Sequence, residues 1–297
     1  MNTINLKLKK EEHKRKGFGA SDFGKIGFDI YHSFLDTPET NPAVWTDSLK
    51  WAAGKGVELQ MVQVLKDNGI VAEDFNQAEE QTYTMERLGV PVRMKIDAMV
   101  SKNDFDLIDD CPIEIKTINN KNSFDIKKYA EGYPRDNYVG QLAIYMDYLQ
   151  KETGYLFVAS IDGLNNFWFE CKKVGEGKYQ CGQTQVDINK EYERWAKIWT
   201  CVEGKIEPDP FEFGRYKIPL AEIDWTKVSK TDISKARNGM KVIGDPEAWR
   251  VSYSPFKELI LKAQGIKEPG YTEQEIEQIK AATAGYSAKS KEVKTDD

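Results

Sequence analysis

The chain has 297 residues, of which 40% are apolar and 30% charged, with a formal net charge of −6. These values predict a globular chain with one sizeable core plus an appendage. No run of about 18 apolar residues occurs and no apolar stretch follows the basic N-terminal residues, so neither a membrane span nor a signal peptide is expected and a cytoplasmic location is predicted.

In chain order, Lys7 to Lys16 places six basic residues beside two acidic ones. This is a candidate anion-binding arm in a chain whose overall charge repels nucleic acid. Ser48 to Asn68 has helical spacing, with Leu49, Ala53, Val57, Met61 and Leu65 on one stripe and Glu58 beside it, and Gly69 marks the end. Val90 to Val100 alternates without a break, apolar at Val90, Val92, Met94, Ile96, Ala98 and Val100, with Arg93, Lys95 and Asp97 on the other face. Asn103 and Asp104 supply a turn, and Cys111 to Thr117 repeats the alternation with Ile113 and Ile115 opposite Glu114 and Lys116. An antiparallel pair is the simplest geometry for these two strands.

Lys121, Lys127, Lys128 and Arg135 form a second basic strip that reads equally as a solvated helix face. Asp136 to Gln150 reads as an amphipathic helix, and Gln141 and Tyr145 lie one turn apart on one face. Two more strands are expected at Gly154 to Ser160 and Asn166 to Lys172, joined by a turn at Asp162 and Gly163. A helix follows from Gln185 to Val202 with Tyr192, Trp195, Ile198 and Trp199 on one side. Trp168, Trp195 and Trp199 are read as core aromatics rather than base-stacking platforms. After Pro208-Asp209-Pro210 the chain becomes irregular to about residue 250, with helices expected at Ser254 to Gln264 and Thr272 to Ala282 and disorder in the last fifteen residues. The expected division is 1–225 and an accessory tail, 226–297, partly helical and partly disordered. The tail holds 13 Lys+Arg and 11 Asp+Glu, which leaves −8 on residues 1–225.

The chemistry concentrates at Asp97, Glu114 and Lys116. Either strand alone reads as an ordinary charged surface. Together they place two carboxylates within reach of one divalent cation, and hard oxygen ligands select Mg2+ or Mn2+. The lysine cannot ligate metal while protonated; it suits the binding of a phosphate or the orientation of water. Asp109 and Asp110 are rivals for the first acid, but they lie too near Glu114 in sequence to occupy a separate strand.

The ordered set Glu58 in Gly54-Lys55-Gly56-Val57-Glu58, Asp97, Glu114-Ile115-Lys116 and Gln141-x-x-x-Tyr145 resembles the PD-(D/E)xK nuclease superfamily, and within it the phage and RecB-like exonucleases. Arg15 to Asp22 resembles the arginine-to-serine segment that opens the viral members. The likeness spans about residues 13 to 160. It departs at Ile96, where proline is usual, and in an arginine-to-serine spacing one residue short. It implies an α/β, restriction-endonuclease-like core with a central mixed sheet flanked by helices. It implies a Mg2+- or Mn2+-dependent deoxyribonuclease, an exonuclease on duplex DNA ends in phage-type recombination or replication.

Carried over residue by residue, Asp97, Glu114 and the Ile115 carbonyl are implied metal ligands, with Glu58 at a second metal position. Lys116 is the implied catalytic lysine, Gln141 and Tyr145 flank the site, and Arg15 and Ser21 grip a 5′ phosphate. DNA is the implied partner, with a single-strand annealing or single-strand-binding protein and further copies of the chain as additional candidates. An iron–sulfur cluster is not expected, because Cys111, Cys171, Cys181 and Cys201 lack the closely spaced group that such nucleases use. Zinc is disfavoured for the same reason, and only His13 and His32 are available as imidazole ligands. The rivals are an endonuclease of the same superfamily and a catalytically idle DNA- or protein-binding module.

Overall fold

A computed structural model describes residues 15–73, 82–101, 103–119, 123–161 and 165–285. The basic arm before Arg15, Lys121, the turn at Asp162 and Gly163, and the chain beyond residue 285 lie outside these residues. Two compact units emerge, residues 1–37 with 43–206, and residues 38–42 with 207–297. The boundary therefore falls at 206/207 and not at the expected 225/226. Leu220, Ile223 and Trp225 account for the shift, because they pack on the Ala236, Ile243, Tyr271 and Ile279 core of the second unit. The 38–42 segment joins this unit through Thr40 and Asn41, whose backbone N–H groups both donate to the Pro255 carbonyl, at 2.9 and 2.8 Å.

The first unit is an α/β assembly built on two sheets. Strands β1 (Phe18–Gly19), β2 (Thr82–Arg87) and β3 (Val90–Lys95) form one, in the order β1-β3-β2. The other is six-stranded and runs sequentially from β4 (Ala98–Met99) and β5 (Pro112–Ile118) through β6 (Thr153–Ser160) and β7 (Asn166–Gly175) to β8 (Lys178–Cys181) and β9 (Thr184–Asp187). It is mixed: β5 and β6 are parallel and the other neighbours antiparallel. The expected antiparallel pairing holds, with Ala98 opposite Ile113 and Met99 opposite Pro112.

Helices cover both faces of this sheet, as the residue alternation requires. On one side, Met61, Val62 and Leu65 of α2 (Trp45–Asp67) pack with Ile113, Ile115 and Tyr155. On the other, Leu142, Tyr145 and Met146 of α4 (Asp136–Leu149) pack with Ile118, Leu156 and Val158. Helix α1 (Gly27–Phe34) and helix α5 (Ile188–Gly204) complete that second cluster, and α3 (Ser123–Ala130) follows β5. Trp195 is fully buried and stacks on Phe18 with ring centroids 5.2 Å apart, while Trp199 meets Phe34 edge-on at 5.3 Å. Both are core aromatics, as their spacing predicts. Trp168 is at the boundary of exposure and leans on Tyr155.

Three local expectations are corrected. Val90 to Val100 is not one strand: β3 ends at Lys95 in the three-stranded sheet and β4 begins at Ala98 in the six-stranded one, so the chain crosses between sheets at Ile96 and Asp97. The alternation survives because both pieces bury the same parity of residue. The stripe on α2 is apolar only in its second half, since Leu49 is 58% exposed while Leu65 is buried. The apolar residues of β5 facing that helix run out at Ile115, and beyond them Gly54 lies against Thr117, where a Cβ would come within 2.9 Å of the threonine hydroxyl. The helix expected from Gln185 starts only at Ile188, because Asp187 accepts from the Asn189 and Lys190 N–H groups as its cap and the two residues before it pair in β9. Gly69 ends the α2 turn with φ +69°, as predicted.

The second unit carries α6 (Lys230–Arg237), α7 (Lys257–Ala263) and α8 (Glu273–Ala282). The last two match expectation to within three residues at each end. Helix α6 lies in the stretch read as irregular; Ser229 caps it, accepting from Asp232 N–H. Among the described residues no helix is long and apolar enough to cross a membrane.

Candidate active site

The crossover that breaks the expected strand also positions the first acid. Freed from the ladder, the Asp97 carboxylate accepts a 2.9 Å hydrogen bond from the Ile115 N–H of β5. Glu114, the next residue back, is wholly buried, and its carboxylate is ion-paired with the Lys116 ammonium. Neither Glu114 oxygen has a hydrogen bond of good geometry among the described residues, although the Tyr145 hydroxyl lies beside it. Asp97, Ile115, Glu114 and Lys116 thus form one constellation. It sits under α4 rather than on a solvent-facing strand surface.

The electrostatics follow from that burial. Desolvation, then the Glu114 charge, pushes the Asp97 carboxyl well above the usual range, and desolvation pushes Glu114 up as well. Burial alone lowers the affinity of Lys116 for its proton, but the Glu114 and Asp97 charges outweigh it and hold the ammonium above its ordinary value. Lys116 is therefore a fixed positive charge at neutral pH and not a proton acceptor. It serves here as the cation that the acid pair requires.

Gln141 and Tyr145 meet as their spacing predicts. The Gln141 amide donates to the Tyr145 hydroxyl at 2.6 Å, and that hydroxyl donates to the Lys95 carbonyl at 2.6 Å. The bond ties α4 to the last residue of β3, two residues before Asp97. Replacing Tyr145 by Phe leaves a buried amide and a carbonyl unpaired, at a cost of about 1–3 kcal/mol. Thermal unfolding should register that loss, and any reaction that uses Asp97 should slow by about tenfold or more; an unaltered rate would separate the tie from the chemistry.

A cavity of about 420 Å³ opens beside the constellation, with Asp97, Glu58, Gln141, Tyr145, Arg15 and Ser21 on its wall. Glu114 and Lys116 are not part of that wall. Glu58 reaches the cavity because Gly54 lets α2 approach β5, but its carboxylate is held by Lys55 at 2.6 Å. As it stands Glu58 does not close on the other two acids, and no group of three or more His, Cys, Asp or Glu residues converges at ligand distance among the described residues. The rival acids are elsewhere: Asp110 is exposed and pairs with Lys151 at 2.5 Å, and Asp109 is also exposed.

Arg15 is committed to a buried partner, Asp22, which also accepts from Gly19 N–H at 2.6 Å and Lys25 at 3.0 Å. Ser21 caps no helix. It lies inside the 3-10 turn Ala20–Asp22, whose N-cap is Gly19, and α1 begins only at Gly27. Gly140 seats this segment on α4, since a Cβ there would meet the Phe23 ring at 2.3 Å. Of the second basic strip, Lys127 and Lys128 are exposed, whereas Arg135 pairs with Asp125.

Sequence reading overlooked Asp22, Lys55 and Tyr138. The ring of Tyr138 lies 5.6 Å from the Lys116 ammonium and shares the cation face with Arg135. Its position three residues before Gln141 on the same helix face is the signal that would have found it.

No family model matches the chain, and no curated protein matches it. Among solved structures it is similar to the crystal structure of SSO0001, with 15% identity and a TM-score of 0.39 over 69% of this chain and 83% of that one. It is also similar to an alkaline exonuclease, LHK-Exo, from Laribacter hongkongensis, with 15% identity and a TM-score of 0.34 over 64% of this chain and 90% of that one. Likenesses at this level carry no functional argument. What the fold and site themselves define is a helix-flanked mixed-sheet protein with a buried glutamate, a half-buried aspartate and a lysine at the edge of a cavity.

Proposed function

We propose that the chain is a divalent-metal-dependent deoxyribonuclease with a restriction-endonuclease-like core, acting as an exonuclease on duplex DNA ends in phage-type recombination or replication. The observation that carries this reading is the pairing of half-buried Asp97, on the cavity wall, with buried Glu114, joined through the Ile115 amide and offset by Lys116. Lys116 offsets one of these two close carboxylate charges, and a divalent cation beside them would offset the other. Glu114 engages Lys116 through one oxygen, and its other oxygen has no well-formed hydrogen bond among the described residues, which fits hard-cation ligation.

Asp97, Glu114 and the Ile115 carbonyl would hold the first Mg2+ or Mn2+, and Glu58, once released from Lys55, a second. A bound cation would supply Lewis-acid stabilisation of the phosphodiester and a more acidic attacking water. Lys116 keeps a fixed positive charge where negative charge develops on phosphorus-bound oxygen. Gln141 and Tyr145 hold the Lys95 to Asp97 segment in place. Arg15, with Ser21 beside it, would take a terminal 5′ phosphate by exchanging Asp22 for the new anion.

Digestion of end-labelled linear and covalently closed circular duplex, with Mg2+ or with EDTA, tests the reading. Linear DNA should be degraded only with the metal, and the closed circle, which has no end, should survive. A 5′-phosphorylated end should be consumed faster than a 5′-hydroxyl end. Rapid cutting of the circle would move the assignment to an endonuclease, and inertness on every substrate would remove the nuclease reading.

A further inference from the structure

Four cations line the cavity beside the acid pair: Arg15, Lys55, Arg93 and Lys95. Arg15 is engaged by Asp22, Lys55 by Glu58, and Lys95 also has a partner. The Arg93 side chain has no hydrogen bond or ion pair among the described residues, and it is exposed. Its neighbours in register, Gly19 of β1 and Thr84 of β2, are uncharged. The side chain is nonetheless supported along its stem. Gly17 lies against it so closely that a Cβ there would come within 3.3 Å of Arg93 Cγ.

This arrangement answers an electrostatic problem posed by the site. The two acids, Asp97 and Glu114, repel a polyanionic strand, so the strand must be held by cations away from the bond to be broken. A guanidinium stays charged at any physiological pH and presents a planar fork that matches two phosphate oxygens. An arginine with no ion pair among the described residues binds a phosphate without first losing one of them as partner. Arg93 is four residues before Asp97, a separation of at most about 14 Å along extended chain. A stacked strand carries one phosphate per ~3.4 Å of axis. We propose that Arg93 grips a non-scissile phosphate of the polynucleotide, within about four nucleotides of the bond cleaved at Asp97 and Glu114. This assignment rests on the nuclease reading above.

The test is equilibrium binding of a labelled single-stranded oligonucleotide in EDTA across a range of salt, for the wild type, Arg93→Gln and Arg93→Met, with cleavage kinetics in Mg2+ alongside. Loss of one phosphate contact should reduce the slope of log affinity against log salt by about 0.7. Affinity at low salt should fall by about five- to twenty-fold, and KM should rise by more than kcat falls. Arg93→Lys should restore the slope, because it restores the charge. Methionine keeps the apolar stem, so a folded Arg93→Met carries the test if the glutamine variant is unstable. If the wild type binds and cleaves while the folded variants keep its salt slope, Arg93 is not a phosphate contact and the nuclease reading stands. If the wild type neither binds nor cleaves polynucleotide, the nuclease reading falls and the Arg93 assignment falls with it.

Discussion

Replacing Glu114 by Gln should abolish metal-dependent cleavage, by at least about a thousandfold, while leaving the fold intact or more stable. The activity loss follows from removing one of the two anionic ligands proposed for the metal. The stability gain follows from linkage. Burial raises the Glu114 carboxyl above the ordinary glutamate range, so the folded chain binds its proton more tightly than the unfolded chain. That contribution is fully present below the unfolded value and is lost as pH rises through the folded one. The neutral amide avoids this loss, and Lys116, partly exposed, keeps the Asp97 charge beside it, so without metal the variant should equal or exceed the wild type in Tm near pH 7. The gap should close on acidification towards pH 4. Adding Mn2+ should reverse the order, because only the wild type gains about 1.4 kcal/mol at ten times the dissociation constant. Retained cleavage, or an equal Mn2+ shift in both proteins, would remove Glu114 from the metal site.

Lys116 should behave in the opposite way. Substitution by Met or Ala is expected to lower turnover by at least about a hundredfold, the scale of one preorganised electrostatic group. It should also destabilise the metal-free protein, because Glu114 is left buried without its counter-charge. A fully buried pair broken on one side loses about 3–5 kcal/mol. Lys116 keeps 23% exposure, so a loss of about 2 kcal/mol is expected here. The double variant Glu114→Gln with Lys116→Met should recover most of that stability and none of the activity. Such a cycle separates the structural ion pair from the chemistry. Additive stability losses would mean that the two side chains are not coupled, and a change in substrate affinity alone would argue against a catalytic lysine.

The contrast between these two residues shows what local pattern conveys. Period-two alternation put Glu114 and Lys116 on one face of a strand and Ile113 and Ile115 on the other, and the helix period put Gln141 and Tyr145 one turn apart. Both relations hold, because each depends only on backbone geometry over a few residues. The end of α2 at Gly69 was equally legible, since a left-handed φ at a helix end selects glycine.

Other features depend on packing between distant segments, which no period encodes. Alternation carried Val90 to Val100 across a real break, because residues on both sides bury the same parity while belonging to different sheets. The polar face holding Glu114 looked solvent-facing until α4 covered it, and that cover converts a surface carboxylate into a buried acid whose charge must be offset. Arg15 read as part of a basic arm, yet Asp22, seven residues on, holds it at the turn that Phe23 seats on α4. Residues 207–225 read as a continuation of the core until Leu220, Ile223 and Trp225 found their apolar partners in the second unit. The sequence by itself determined which side chains share a strand face or a helix turn. Only the tertiary structure decided which faces are sealed from water and which charges meet, because desolvation and ion pairing depend on neighbours brought in from elsewhere in the chain.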